Sequence, residues 1–96
     1  MKKLVFDAPT GFTVTTANQQ VLAADRAREF CEISNTSPSV KVYISFGEHA
    51  AVVGKGTFLM PNGGTVTLTE QYMRSMQKVN AIADGGTAVV AIQIGR

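Results

Sequence analysis

Between Val40 and Gly47 the chain alternates without a break. Val40, Val42, Ile44 and Phe46 fall on one side of an extended backbone, and Lys41, Tyr43 and Ser45 on the other. A period of two over this length predicts a half-buried β-strand, entered through the polar turn Ser34-Asn35-Thr36-Ser37-Pro38-Ser39. Arg28 to Ser34, just before that turn, alternates in the same way, with Cys31 and Ile33 inward and Phe30 and Glu32 on the opposite face. The short Asn/Ser/Pro connection predicts that the two strands pair as an antiparallel hairpin.

The rest of the chain repeats this arrangement. Phe12-Thr13-Val14-Thr15-Thr16 and Gln19-Gln20-Val21-Leu22 read as strands joined at Ala17-Asn18. Ala23 to Ala27 holds good helix formers but is too short for more than a turn or a single helical loop. Thr57-Phe58-Leu59-Met60 is a short strand stopped by Pro61-Asn62-Gly63-Gly64, where proline presets one dihedral and Asn-Gly-Gly tolerates positive φ. Thr65 to Thr69 alternates with Val66 and Leu68 inward. Val79 to Ala83 and Ala88 to Ile94 flank Asp84-Gly85-Gly86-Thr87, which reads as a tight hairpin turn, and Val90, Ile92 and Ile94 face the core.

Two stretches depart from the alternation. Glu70 to Gln77 lacks β-branched residues and sets Tyr72, Met73 and Met76 at near-helical spacing. A helical turn or irregular loop is expected there, one that either caps an end of the domain or docks on a partner through its adaptable methionines. Met1 to Pro9 carries Leu4-Val5-Phe6 ahead of a proline that forbids a regular ladder. This lead, residues 1–9, is an edge strand or an arm that pairs with a neighbouring copy. Seven or eight short strands, with turn signals about every ten residues, predict an all-β fold. The expected architecture is a small single-domain antiparallel β-sandwich, jelly-roll-like, over residues 10–96.

Composition narrows what such a domain does. The chain is 96 residues long and 17% charged, against about 25% in an ordinary soluble domain, and a weakly charged surface suits burial against other proteins. Net charge is +2, and nine basic residues are interleaved with seven acids without forming a stripe, which argues against a nucleic-acid partner. Lys2-Lys3 resembles the start of a secretory signal, but Asp7 and Pro9 interrupt the apolar run at once. No segment approaches the roughly 20 apolar residues that span a bilayer. The expectation is a protein made in a cytosol, without a membrane partner.

Candidate chemistry is sparse. One cysteine, Cys31, leaves no internal disulfide, and one histidine, His49, leaves a Cys/His metal site short of ligands. Neither a metal nor a cofactor is expected, and Cys31 reads as a small buried hydrophobe. His49 beside Glu48 is the one ready general base, with no nucleophile in register, so the chain reads as no enzyme. Gly54-Lys55-Gly56-Thr57 lacks the glycine spacing and following helix of a phosphate-binding loop. Tyr43 and Phe46 have opposite parity and cannot form one base-stacking face.

The order of features resembles small virion structural proteins of tailed bacteriophages, of the capsid decoration, cement or head-fibre-base type. The resemblance covers about residues 20 to 94 and is carried by Phe30, Ile33-Ser34-Asn35, Val42-Tyr43-Ile44-Ser45-Phe46-Gly47, Leu59-Met60-Pro61-Asn62-Gly63-Gly64 and Ala81-Ile82-Ala83-Asp84-Gly85-Gly86-Thr87-Ala88. It implies a homo-oligomer, dimer or trimer, made in a bacterial host cytoplasm. That oligomer would bind the major capsid protein or other virion proteins on the outside of an assembled head. A fibre, neck or tail component that binds a receptor or carbohydrate is the alternative. Expected contact residues are Leu4, Val5 and Phe6 of the lead, Lys41 and Tyr43 of the central strand, and Tyr72, Met73 and Met76 of the later loop.

Overall fold

A computed structural model describes residues 4–69 and 77–96. It contains eight strands: β1 (Thr10–Val14), β2 (Gln19–Leu22), β3 (Phe30–Asn35), β4 (Val42–Phe46), β5 (Thr57–Leu59), β6 (Thr65–Thr69), β7 (Val79–Ala83) and β8 (Ala88–Gly95). They form two four-stranded sheets, ordered β1-β8-β3-β6 (sheet A) and β2-β7-β4-β5 (sheet B). Every pairing is antiparallel. This is a jelly-roll sandwich of two facing sheets, as the alternation and turn spacing predict.

The parity of each strand sets its face. Cys31 and Ile33 of β3, Val42 and Ile44 of β4, Leu59 of β5, Leu68 of β6, Val79, Ala81 and Ala83 of β7, and Ala88, Val90 and Ile92 of β8 close into one buried cluster with Val14. Four of these thirteen residues are the alanines and the cysteine, small side chains that let the two sheets approach closely. Phe12, Val40, Phe46, Val66 and Ile94 pack around its margin.

The connectivity differs from two of the expectations. β3 and β4 do not form a hairpin, because β3 lies in sheet A between β8 and β6 while β4 lies in sheet B between β7 and β5. β7 and β8 likewise belong to opposite sheets, so Asp84 to Thr87 is an arch over the end of the sandwich rather than a hairpin turn. The same polar, glycine-rich residues serve both connections, since either reverses the chain within a few residues. Among the described strands, consecutive ones share a sheet only at β4 and β5.

Asn35 explains how the first arch holds. It is fully buried (0% exposed), and its amide nitrogen donates to the carbonyls of Val40 (2.8 Å) and Leu59 (3.0 Å) while its carbonyl oxygen accepts from the Ser37 backbone N–H (3.0 Å). Its backbone N–H donates to the Gly64 carbonyl and its carbonyl accepts from the Gly63 N–H, both at 2.8 Å. One residue thus ties the end of β3 to the start of β4, the end of β5 and the β5–β6 turn. That turn closes tightly enough that a Cβ on Gly64 would lie 2.4 Å from the Met60 nitrogen and 2.6 Å from its carbonyl oxygen.

Removing the Asn35 side chain strands two carbonyls and one N–H in a dry interior, at about 1–3 kcal/mol for each group that finds no water. Asn35→Ala is expected to lower the unfolding free energy by about 3 kcal/mol in urea denaturation. Asn35→Asp keeps the shape but faces two carbonyl oxygens with an acceptor, and is expected to be no better than the alanine. A loss below about 1 kcal/mol in both would mean that the amide is not what holds the arch.

Candidate functional site

Two exposed apolar patches lie on opposite faces of the sandwich. On sheet B, register places Tyr43 of β4 opposite Phe58 of β5 on one side and Ile82 of β7 on the other. Inward-facing Val42 and Ile44 flank Tyr43 on its own strand, so this row points away from the core. The Tyr43 and Phe58 rings stack with centroids 5.2 Å apart and planes at 23°, a cross-strand aromatic pair of the kind that stabilises sheets. One side of the pair stays open, with Phe58 42% and neighbouring Met60 61% exposed.

The long β4–β5 connection enlarges the same face. Asn80, outward on β7, is buried because its amide donates to the carbonyl of His49 at 2.8 Å. The Ala51 N–H donates to the Asn18 side-chain oxygen at 2.7 Å. These bonds fold the connection back over sheet B, and a turn closed by Lys55 N–H to the Val52 carbonyl leaves Val52 and Val53 exposed at its crest. Lys41 and Lys55, both exposed, stand at the margins of this surface. Asp84, beside Lys41 through backbone contacts, is the acid at that end.

The second patch is the lead. Residues 5–7 run beside the last residues of β8, with Val5 N–H to the Arg96 carbonyl (2.9 Å), Arg96 N–H to the Val5 carbonyl (2.8 Å) and Asp7 N–H to the Ile94 carbonyl (3.0 Å). Phe6 opposes Gly95 whereas Thr10 opposes Ile92. The pairing therefore slips by one residue across Ala8-Pro9, a bulge at the point where proline withholds its donor. Leu4 and Phe6 lie over Gly95, where an added Cβ would come within 3.0 Å of Leu4 and 3.2 Å of Phe6. Phe6 meets Phe30 edge-on at 5.3 Å. It remains 51% exposed, and Val5 is exposed as well. Glu32 follows Phe30 on the same outer face and accepts a hydrogen bond from Thr67 at 3.3 Å.

A charged clamp fixes the lead and the β2–β3 connection to the end of β8. The Arg96 guanidinium donates to Asp7 Oδ2 (2.5 Å) and to Asp25 Oδ2 through Nε (3.0 Å) and a terminal nitrogen (2.7 Å). The hydrogen bonds from Arg96, and then the Ala27 N–H, hold the Asp25 carboxyl below the usual carboxylate range. Beside this clamp Arg28 is buried at 2% exposure, donating to the carbonyls of Ala23 (3.1 Å) and Gln77 (2.5 Å). Burial lowers its affinity for the proton. The carbonyls that receive Arg28 come from residues far apart in the chain.

Of the expected contact residues, Leu4 and Phe6 share one surface, with Val5 between them on the other side of the lead, and Lys41 and Tyr43 share another, while Tyr72, Met73 and Met76 lie outside the described residues. Phe58, Met60, Val52 and Val53 were not singled out by sequence. The signal for Phe58 was its alternation with buried Leu59, but its pairing with Tyr43 depends on register. His49 and Glu48 line an open cleft of about 1010 Å³ with Arg26 and Lys78, with no serine, threonine or cysteine among the described lining residues. Cys31 is buried and burial raises its thiol pKa, which fits a packing role. Among the described residues no group of three or more His, Cys, Asp or Glu is placed to hold a metal ion.

No protein-family model and no curated protein matches the chain. A chain from a solved structure described as "Bacillus endospore appendages form a novel family of disulfide-linked pili" is similar over 99% of this chain and 88% of its own length. The TM-score is 0.53 and the identity 14%. At that identity the likeness is one of fold.

Asp25 sets a pH dependence. Its folded pKa lies below the value of about 3.8 expected in the unfolded chain, so its stabilising contribution is present above about pH 4 and is lost as pH falls through the folded pKa. Melting temperature is expected to fall as the pH drops below about 4. Asp25→Asn should lower it at neutral pH and flatten that acid limb. An acid limb of unchanged steepness in the variant would show that other carboxylates govern it.

Proposed function

We propose that the chain is a non-enzymatic structural subunit that works in multiple copies on a larger particle. In the finer reading it decorates and reinforces the outside of an assembled bacteriophage head, bound to the major capsid protein. The observation that carries the proposal is the pair of exposed apolar patches, one on each sheet, on a chain that is only 17% charged. Contiguous exposed apolar surface on a small domain marks protein contact, and two such surfaces on opposite faces suit a unit that is covered from both sides. Each interface is small, so adhesion to a shell gains most from repetition across linked copies.

The resemblance to decoration and cement proteins supports the finer reading. The coarser reading is supported by the fold, shared with a chain whose structure is described as one of pili. The disulfide linkage in that description finds no counterpart among the described residues, since Cys31 is the chain's single cysteine and lies in the core. Copies of this chain are joined by non-covalent contact. The alternative, a receptor- or carbohydrate-binding module of a fibre, neck or tail, draws on the open Tyr43–Phe58 pair, because sugars stack on exposed aromatic faces.

Quantitative mass spectrometry of purified particles, measured against the major shell protein, tests the proposal. A copy number near a simple fraction of that protein is expected. A few copies per particle, with glycan binding that is lost in Tyr43→Ala, would install the fibre or tail alternative. Absence from particles would discard the virion reading.

A further inference from the structure

We propose that the two apolar patches are the two halves of one contact between copies of this chain, with the sheet B patch of one copy seated on the lead of the next. This deepens the multi-copy reading and rests on it. Both patches are apolar, and they differ in the charge beside them. Tyr43, Phe58, Met60, Val52 and Val53 form an apolar surface with Lys41 and Lys55 at its margins. Leu4 and Phe6, backed by Phe30, form a second with Glu32 on the same face.

A two-fold contact of the sheet B patch with itself would bring Lys41 and Lys55 of one copy toward their counterparts. A two-fold contact of the lead with itself would bring Glu32 toward Glu32. Pairing unlike patches places opposite charges around a dry apolar centre, the arrangement that fixes register and disfavours the wrong partner.

The geometry of the sandwich gives this contact a direction. The Leu4 and Phe6 side chains lie on the outer side of sheet A and the Tyr43–Phe58 row on the outer side of sheet B. One copy therefore presents its two halves on opposite faces, and the contact is head-to-tail. Such an interface grows into a ring where the rotation closes and into an open stack where it does not. The lead is preorganised for it. Gly95 lets Leu4 and Phe6 lie flat on the sheet, and the Asp7–Arg96–Asp25 clamp holds the segment in place.

The test uses the purified full chain and sedimentation velocity. Wild type is expected to shift to at least twice the monomer mass as concentration rises into the micromolar range. Phe6→Ser and Phe58→Ser, both changes of exposed rings, should each remain monomeric while keeping the wild-type circular dichroism. Mixed together they should form a 1:1 dimer, because each retains the half that the other has lost. Lys55→Glu should weaken self-association about tenfold, and adding Glu32→Lys in the same chain should restore it.

A wild type that stays monomeric overturns the inference. Self-association abolished by Phe58→Ser but untouched by Phe6→Ser overturns it as well, as does a mixture of the two variants that fails to pair. These outcomes leave the copy number in particles unaffected, so the failure of this contact is separable from the failure of the particle reading.

Discussion

The structure depends on how its backbone polar groups are satisfied where the chain leaves one sheet for the other. A hairpin keeps its ladder going up to the turn, whereas an arch between facing sheets carries N–H and C=O groups over the end of a dry core with no strand beside them. Nearly every connection between described strands is of the second kind. The molecule answers with buried polar side chains. Asn35 serves the end where β3, β4, β5 and β6 meet, and Arg28 bridges the carbonyls of Ala23 and Gln77. Among the described residues no buried side-chain nitrogen or oxygen lacks a partner.

This is also why strands were legible in the sequence and their partners were not. Alternation is a local property, and Val42, Ile44, Cys31, Ile33, Val90 and Ile92 are all buried as their parity demands. Whether Asn35 to Ser39 closes a hairpin or an arch is decided by contacts with Leu59, Gly63 and Gly64, more than twenty residues away. Turn chemistry is the same in both cases. The burial of Arg28 was not legible for a related reason: nothing in its neighbourhood announces that the carbonyl of Gln77 will meet it.

The candidate contact surface divides along the same line. Tyr43 was legible as the outward aromatic of β4, since the residues on either side of it are inward. Its partner Phe58 required the β4–β5 register, which follows from a ten-residue connection rather than from a tight turn. The lead was legible as an apolar segment before a proline, but its place beside β8 was not. That placement rests on Gly95, a residue that reads as an unremarkable strand end until the side chains of Leu4 and Phe6 are found lying over it.

The state of Cys31 constrains how copies of such a unit hold together. Its thiol faces the core, and burial keeps it protonated further up the pH scale than an exposed thiol. It is thus poor both as a nucleophile and as a partner for exchange with another cysteine. Bridging two copies through it would require opening the sandwich between β3 and its neighbours. In the proposed contact between copies, cohesion would rest on apolar area and on a few peripheral charges. The charge component weakens with salt and the apolar component does not. Association that persisted at high ionic strength, with its selectivity between unlike patches reduced, is what the division of labour between the stacked aromatics and the flanking lysines requires.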